Sequence, residues 1–345
     1  MKKVISLIMV LLIVMISGCG KEEAKPTDAK SPTEAQMKDT ATPEEVKNEF
    51  LKLMSSDKRP IAVMIDNDGP SSRPQIGLES AYMVYEVIVE GGASRIMALF
   101  KDASAIEKVG PIRSSRHYFL DFAMEHDAIY CHAGWSPKAA NDISALGINN
   151  VNGIVGNDGT QFYRDNTYDN TWHNLYTNLN KVYTYAVDKK GYESTTDAVH
   201  TAYNQKDTSL SDDAQSATEV VLPYSTLYRV SYKYDDKSKT YTRYIGQSEH
   251  MSQTGEALTA KNIIICSMKN YPLQDGENKD RQEVVTVSSG EGYYVTNGKA
   301  VKITWSKSAR GAKTVYKLAN GEELKLNPGN TYVQIMPLSS EITIK

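Results

Sequence analysis

Hydrophobic positions along the chain fall into three regimes. Residues 4–16 form an apolar run, interrupted by Ser6, behind Lys2 and Lys3. Residues 20–42 contain one large apolar residue, Met37, among Lys, Glu, Thr, Pro and Ala. Beyond them, apolar positions recur with the periods of strands and helices. The first regime has the layout of a secretory signal and is too short to cross a bilayer comfortably. The second cannot bury a core and reads as a flexible tether. Thr42, Pro43 and Glu45 then read as N-cap, first helical residue and capping-box acid of a short amphipathic helix that uses Val46, Phe50 and Leu53.

Within the third regime the pattern changes midway. "RPIAVMIDN" is a short buried strand, "AYMVYEVIVE" and "SRIMALFKD" make a hairpin about Gly91-Gly92, and "DAIYCHAG" is a strand between two helices. Residues 194–218 are polar and weakly patterned, a long surface connection. From Glu219 onward the period is two. Asn297-Gly298 and Asn320-Gly321, flanked by alternating apolar residues, predict type I′ hairpins. Tyr228, Val230, Tyr232 and Tyr234 alternate ahead of the turn "DDKSK". The resulting division is a signal at 1–18, an anchor, tether and short helix at 19–57, an α/β part at 58–193, a connection at 194–218 and a mainly antiparallel β part at 219–345. The fold class is α+β.

Chemistry sharpens this outline at its start. Ile16-Ser17-Gly18-Cys19 resembles the bacterial lipobox, in which the cysteine is acylated and becomes the new N-terminus. Membrane anchoring through Cys19 on the extracytoplasmic face is therefore expected. Losing residues 1–18 removes Lys2 and Lys3 and no acid, which takes the formal charge from −3 to −5. That balance argues against nucleic acid as a partner. Cys131 and Cys266 are the other cysteines. Export permits a disulfide, yet both lie in apolar strand-like runs, where single buried thiols are the commoner occupants. Metal-type spacings such as Cys-x-x-Cys are absent, and neither a metal nor a cofactor is expected.

The segments "RPIAVMIDN", "RPQIGLESAYMVYEVIVEGGASRIMALF", "GPIRSSRHYF", "HAGWSP", "FYRD" and "HNLY", followed by "YTRYIGQSEH" and "LNPGNTYVQIMP", resemble the YerB-like lipoproteins, domains of unknown function. The resemblance covers most of the exported chain. It implies a layered β/β/α sandwich and no established activity.

Candidate chemistry concentrates in the first half. With a two-residue turn at Gly91-Gly92, Glu90 pairs with Ala93, Ile88 with Arg95 and Glu86 with Met97, which sets Arg95 diagonally between Glu86 and Glu90. As a hydrolytic carboxylate pair, Glu86 and Glu90 have Cα atoms roughly 13 Å apart, beyond the glycosidase carboxyl spacing of about 5–9.5 Å. A charge ladder centred on Arg95 fits better. Ser136, ahead of Pro137, reads as an N-cap, because a proline after a nucleophilic serine has no N–H for an oxyanion. A second helix start is expected at Ser114 or Ser115, flanked by Arg113 and Arg116. Those charges oppose the helix dipole and need an acid or a ligand to offset them. His132, Arg164 and His173, with neighbouring aromatics, complete a candidate ligand-binding set of Arg113, Ser115, Arg116, His132, Ser136, Arg164 and His173. The blander alternative pairs Arg113 and Arg116 with Asp102, Glu107 or Asp121, and makes His132 a satisfied core histidine.

Three functional readings follow. The first is an anchored binding or accessory protein for an anionic envelope component or a peptide carboxylate. The second is an envelope hydrolase with His132 or His173 as acid/base and Glu86 or Glu90 as second carboxyl. The third is a Tyr-rich sheet that docks an envelope protein. Cys19→Ala tests the location common to all: the variant keeps its melting temperature and leaves the membrane fraction, measured by fractionation and thermal denaturation.

Overall fold

The structure is a computed structural model that describes residues 43–198, 201–277 and 279–345. The signal, Cys19, the tether and the Thr42 cap lie outside the described residues. From helix α1 (Pro43–Met54) onward the described chain is one compact unit. Phe50 of α1 meets Tyr203 edge-on, with ring centroids 5.1 Å apart.

The apolar runs of the first half become β1 (Ile61–Ile65), β2 (Met83–Ile88) and β3 (Ser94–Phe100), each buried along its whole length. Helix α2 (His117–Glu125) leads to β4 (Ile129–His132), and α3 (Pro137–Ala145) leads on to β5 (Asn150–Asn152). A small ribbon of β6 (Phe162–Arg164) and β7 (Leu175–Thr177) precedes α4 (Leu179–Asp188). The second half begins with β8 (Gln215–Ser216), β9 (Glu219–Pro223), β10 (Arg229–Asp235), β11 (Thr240–Ile245), β12 (Ser248–Glu249) and β13 (Thr259–Ala260). It continues through β14 (Asn262–Met268), β15 (Asn270–Pro272), β16 (Gln282–Val284), β17 (Ser289–Thr296) and β18 (Lys299–Ser306). β19 (Val315–Leu318), β20 (Thr331–Pro337) and β21 (Thr343–Ile344) end it.

One sheet joins the halves. Its order is β19-β18-β17-β14-β20-β2-β3-β1-β4-β5, with β8 beside β18. β20, from the end of the chain, lies parallel to both β14 and β2, so the second half is not purely antiparallel. The connection at 194–218 does not separate two domains: Asn204 N–H donates to Leu326 O at 2.8 Å, and β8 pairs with β18.

Alternation along β2 defines the layers. The Tyr85 hydroxyl reaches Glu125 of α2 at 2.5 Å, and its ring stacks on Phe122. The next residue, Glu86, points the other way, toward Arg243 of β11 in a second, six-stranded sheet. The result is the β/β/α sandwich of an α+β protein. Tyr228 and Tyr232 fill the space between the sheets rather than facing solvent, which removes them from any docking surface. Cys131 and Cys266 are separate buried thiols, and burial pushes the pKa of each up.

Two turns differ from expectation. At the β2–β3 hairpin, Val89 N–H donates to Ala93 O at 2.8 Å, so the loop is Glu90-Gly91-Gly92 rather than two residues. Gly91 and Gly92 have φ of 64° and 74°. The extra residue slips the register by one: Glu86 pairs with Ile96, and Val87 with Arg95. Since a one-residue slip moves side chains to the opposite face, Glu86 and Arg95 lie on opposite faces, and of the expected charge ladder only the approach of Arg95 to Glu90 at 3.9 Å remains. In the second half Asn297 and Gly298, φ 50° and 73°, make the expected two-residue turn between Thr296 and Lys299. At 319–321, however, Leu318 N–H donates to Glu322 O at 2.9 Å, a three-residue loop with Gly321 alone in the left-handed region.

A Cβ on Gly298 meets the Tyr234 ring at 2.8 Å, whereas one on Gly321 meets nothing within 4 Å. Gly298→Val therefore adds a clash to backbone strain of about 1–3 kcal/mol, and Gly321→Val adds the strain alone. Both lower the melting temperature in thermal denaturation, Gly298→Val by more.

Candidate functional site

The segment Val109–Ser115 is an extended chain stitched between neighbours rather than a helix start. Val109 N–H donates to Thr177 O, Arg113 N–H to Met64 O and Ser115 N–H to Gly134 O, each at 2.9 Å. Asp66 N–H donates to Pro111 O at 2.8 Å. Gly110 allows this contact: a Cβ there meets Leu175 O at 2.9 Å and the Tyr176 ring at 2.8 Å. Helix α2 begins at His117, with Arg116 as its N-cap and no side-chain cap. Ser115 is fully buried, and its hydroxyl accepts from Tyr130 at 2.8 Å. The cap expected from Ser114 or Ser115 is thus absent, because tertiary hydrogen bonds hold both residues extended.

This segment and the end of β1 bring charged side chains together. Asp66, immediately after β1, is fully buried. Its Oδ2 lies 2.8 Å from His173 Nδ1 and 3.1 Å from Arg113 Nε, and its Oδ1 accepts from Asp68 N–H at 3.0 Å. Burial alone would raise the carboxyl pKa, but the His173 hydrogen bond and the charges of Arg113 and Arg95 hold it below the ordinary value. The same hydrogen bond raises the His173 pKa against the effect of burial. The Arg113 guanidinium stacks 3.8 Å from the centre of the Trp172 ring. Arg116 Nε donates to Glu90, which Arg281 approaches at 3.8 Å and Arg95 at 3.9 Å.

Arg95 is 3% exposed. One terminal nitrogen donates to Ser114 O at 2.8 Å, and its Nε has no hydrogen-bond partner. Burial first, then repulsion from Arg116 and Arg113 set against attraction from Glu90, lowers its pKa to about 10. Together Arg95, Arg113, Arg116, Lys279, Arg281 and Trp172 line a cleft of about 460 Å³, with Asp68 and Glu90 as the acids on its wall.

Arg113 and Arg116 thus converge, and His173 stands behind them through Asp66. Their charges are offset by Asp66, Asp68 and Glu90 rather than by Asp102, Glu107 or Asp121, so the fold itself supplies compensation. Asp121 pairs with Arg310, and His117 Nε2 lies 3.0 Å from Glu283. The remaining candidates lie elsewhere. His132 has no exposed surface, with its ring nitrogens 2.8 Å from Gly134 O and 3.2 Å from Asn150 Oδ1, and burial lowers its pKa. Ser136 caps α3, accepting from Ala139 N–H at 3.3 Å. Arg164 is an exposed residue of β6 that donates to Asn174 Oδ1. Glu86 and Glu90 occupy opposite faces of the sheet, a separation that deprives a two-carboxylate hydrolase of its geometry.

Sequence reasoning missed Asp66, Asp68, Lys279 and Arg281. The acids had a signal, two carboxylates directly after a buried strand. The two cations sit in the polar loop between β15 and β16, where no periodicity marks them.

The chain belongs to a family of proteins of unknown function. Residues 49–193 match the family described as Protein of unknown function (DUF3048) N-terminal domain, and residues 220–333 match its C-terminal domain. It is 29% identical over 328 residues to a Bacillus subtilis (strain 168) protein named "Putative lipoprotein YerB", an alignment spanning 94% of this chain and 92% of the relative. The crystal structure of the YerB protein from Bacillus subtilis superposes with a TM-score of 0.72 at 29% identity, covering 85% of this chain and 95% of that one.

The Asp66–His173 pair makes stability depend on pH. His173 has a raised folded pKa, so its contribution is complete below about 6.5 and lost as pH rises through the folded value. Asp66 has a lowered one, so its contribution is complete above 3.8 and lost as pH falls through the folded value. His173→Gln therefore lowers the melting temperature most in mildly acidic buffer and least in alkaline buffer, read by thermal denaturation across pH.

Proposed function

We propose that the protein is a lipid-anchored extracytoplasmic lipoprotein of the cell envelope that binds an anionic group in the cleft around Arg95. The lipobox-like Cys19 and the name of the Bacillus subtilis relative support the anchor. One observation carries the binding: cations from β3, the 109–116 segment and the β15–β16 loop converge on one cleft, and the buried Arg95 among them has no acid of its own. A chain of net charge −3 gathers such a group only locally, and a buried guanidinium with a free donor is stabilised by an incoming phosphate or carboxylate. Arg113, Arg116 and Glu90 position Arg95, while Lys279 and Arg281 complete the mouth.

Lys279 and Arg281 are the residues to change, because Arg113 holds the fully buried Asp66 and Arg116 the partly buried Glu90, and their loss destabilises the fold. Calorimetric titration of the chain from residue 20 with inorganic phosphate in dilute chloride buffer gives saturable binding. Lys279→Gln combined with Arg281→Gln weakens it about tenfold or more, a loss of about 1.4 kcal/mol. Phosphate binding no stronger than chloride, or unchanged in the double variant, refutes the reading.

A further inference from the structure

Trp172 lines the cationic cleft, and it and apolar side chains of neighbouring loops are left in solvent. Trp172 is 54% exposed, Ile154 60%, Val155 46% and Trp135 38%. They come from different loops at one end of the sheet, beyond the carboxyl ends of β1, β4 and β5. The backbone ties these loops together: Arg113, stacked on Trp172, accepts from Ala133 N–H at 3.0 Å, Ser115 bridges Trp135, and Gly134 lies against Ile154. Large aromatic and aliphatic side chains exposed on loops beside a basic cleft are uncommon on a monomer surface without a partner.

We infer that this end of the molecule docks on the membrane that carries the anchor, with these side chains in the headgroup layer and the cleft around the phosphate of an anionic phospholipid. The inference rests on the binding reading above and names its ligand. Charge complementarity selects the occupant. Tryptophan and aliphatic side chains favour the bilayer interface, and arginines and lysines beside them favour an anionic leaflet. Position supports it as well. Whatever its conformation, a segment as long as 20–42 spans at most roughly 80 Å, so an anchor at Cys19 keeps the compact unit within reach of that leaflet and makes even weak docking effective.

The test uses the chain from residue 20, which lacks the signal and Cys19 and retains the whole compact unit, with vesicles of phosphatidylcholine alone or mixed with phosphatidylglycerol. Sedimentation places the protein on the phosphatidylglycerol vesicles and not on phosphatidylcholine, and added salt releases it. The emission of Trp135 and Trp172 shifts to the blue on binding, while Trp305, 2% exposed, contributes a constant background. Ile154→Ser combined with Val155→Ser lowers vesicle partitioning about tenfold and leaves phosphate affinity unchanged. Phosphate or polyphosphate binding without vesicle binding overturns the lipid assignment and leaves the binding reading standing. Equal partitioning onto both vesicles, or partitioning indifferent to the Ile154 and Val155 changes, also overturns it. Binding of neither vesicles nor phosphate overturns both proposals.

Discussion

A carboxylate and a guanidinium, both fully removed from water, hold the two halves of this protein in one arrangement. Glu86 Oε2 of β2 lies 2.9 Å from a terminal nitrogen of Arg243 of β11, and neither side chain has exposed surface. Burial works against the charge on Arg243, but Glu86 holds it in the charged form. Such a pair adds little over an apolar core of equal volume, yet losing either partner strands a charge at a cost of about 3–5 kcal/mol. Its consequence is a constraint on pairing: an arrangement of the second sheet that parts Arg243 from Glu86 strands both charges. The Arg243 Nε donates to His250 Nδ1 at 2.9 Å, and His250 Nε2 lies 2.6 Å from Gln75 Oε1. Burial and the nearby arginines keep that imidazole neutral, as both contacts require.

The network ends at the candidate site. Gln75 donates to the Asp66 carbonyl at 2.9 Å, and Asn67 donates to Tyr228, Ser94 and Glu86. Asp66 and Asn67 are consecutive residues just past β1, and their contacts show their side chains on opposite sides of the chain. Asn67 enters the layer between the sheets, and Asp66 turns to Arg113 and His173 behind the cleft. The interaction that fixes the sandwich thus also fixes the carboxylate around which Arg113 and His173 assemble.

Much of the fold was legible because alternation and turn chemistry are local. The buried strands of β1 to β4, the hairpin at Asn297-Gly298 and the cap at Ser136 each follow from a few adjacent residues. The errors share a cause. A Gly-Gly pair supports a turn of two residues or part of a turn of three, and the choice, made by the sheet as a whole, decided which face Glu86 and Arg95 would take. Ser114 and Ser115 have the composition of a helix start, but hydrogen bonds from β1 and the end of β4 hold them extended. His132 was misplaced for a related reason: a histidine at a strand end looks the same in sequence whether its loop opens to solvent or closes over it. Of the cleft, Arg113 and Arg116 were visible as charges without an adjacent acid. Their acids, Asp66 and Glu90, are far away in sequence and near only after the sheet forms.

That late pairing bears on what the cleft can do. Arg113 has Asp66 and Asp68, Arg116 has Glu90, and Arg281 has Asp275 and Glu277. A set of ion pairs so complete would be a structural network and nothing more. Arg95 breaks the balance. It shares Glu90 at 3.9 Å with a residue that holds that acid more closely, keeps a donor unused, and bears its charge against neighbours of the same sign. Arg113 and Arg116 are committed to the fold, so they cannot move to relieve it, and their acids cannot turn toward it without releasing them. The rigid pairs around the wall therefore leave one buried guanidinium without a close acid of its own, since the carboxylate within its reach, Glu90, is already held by Arg116.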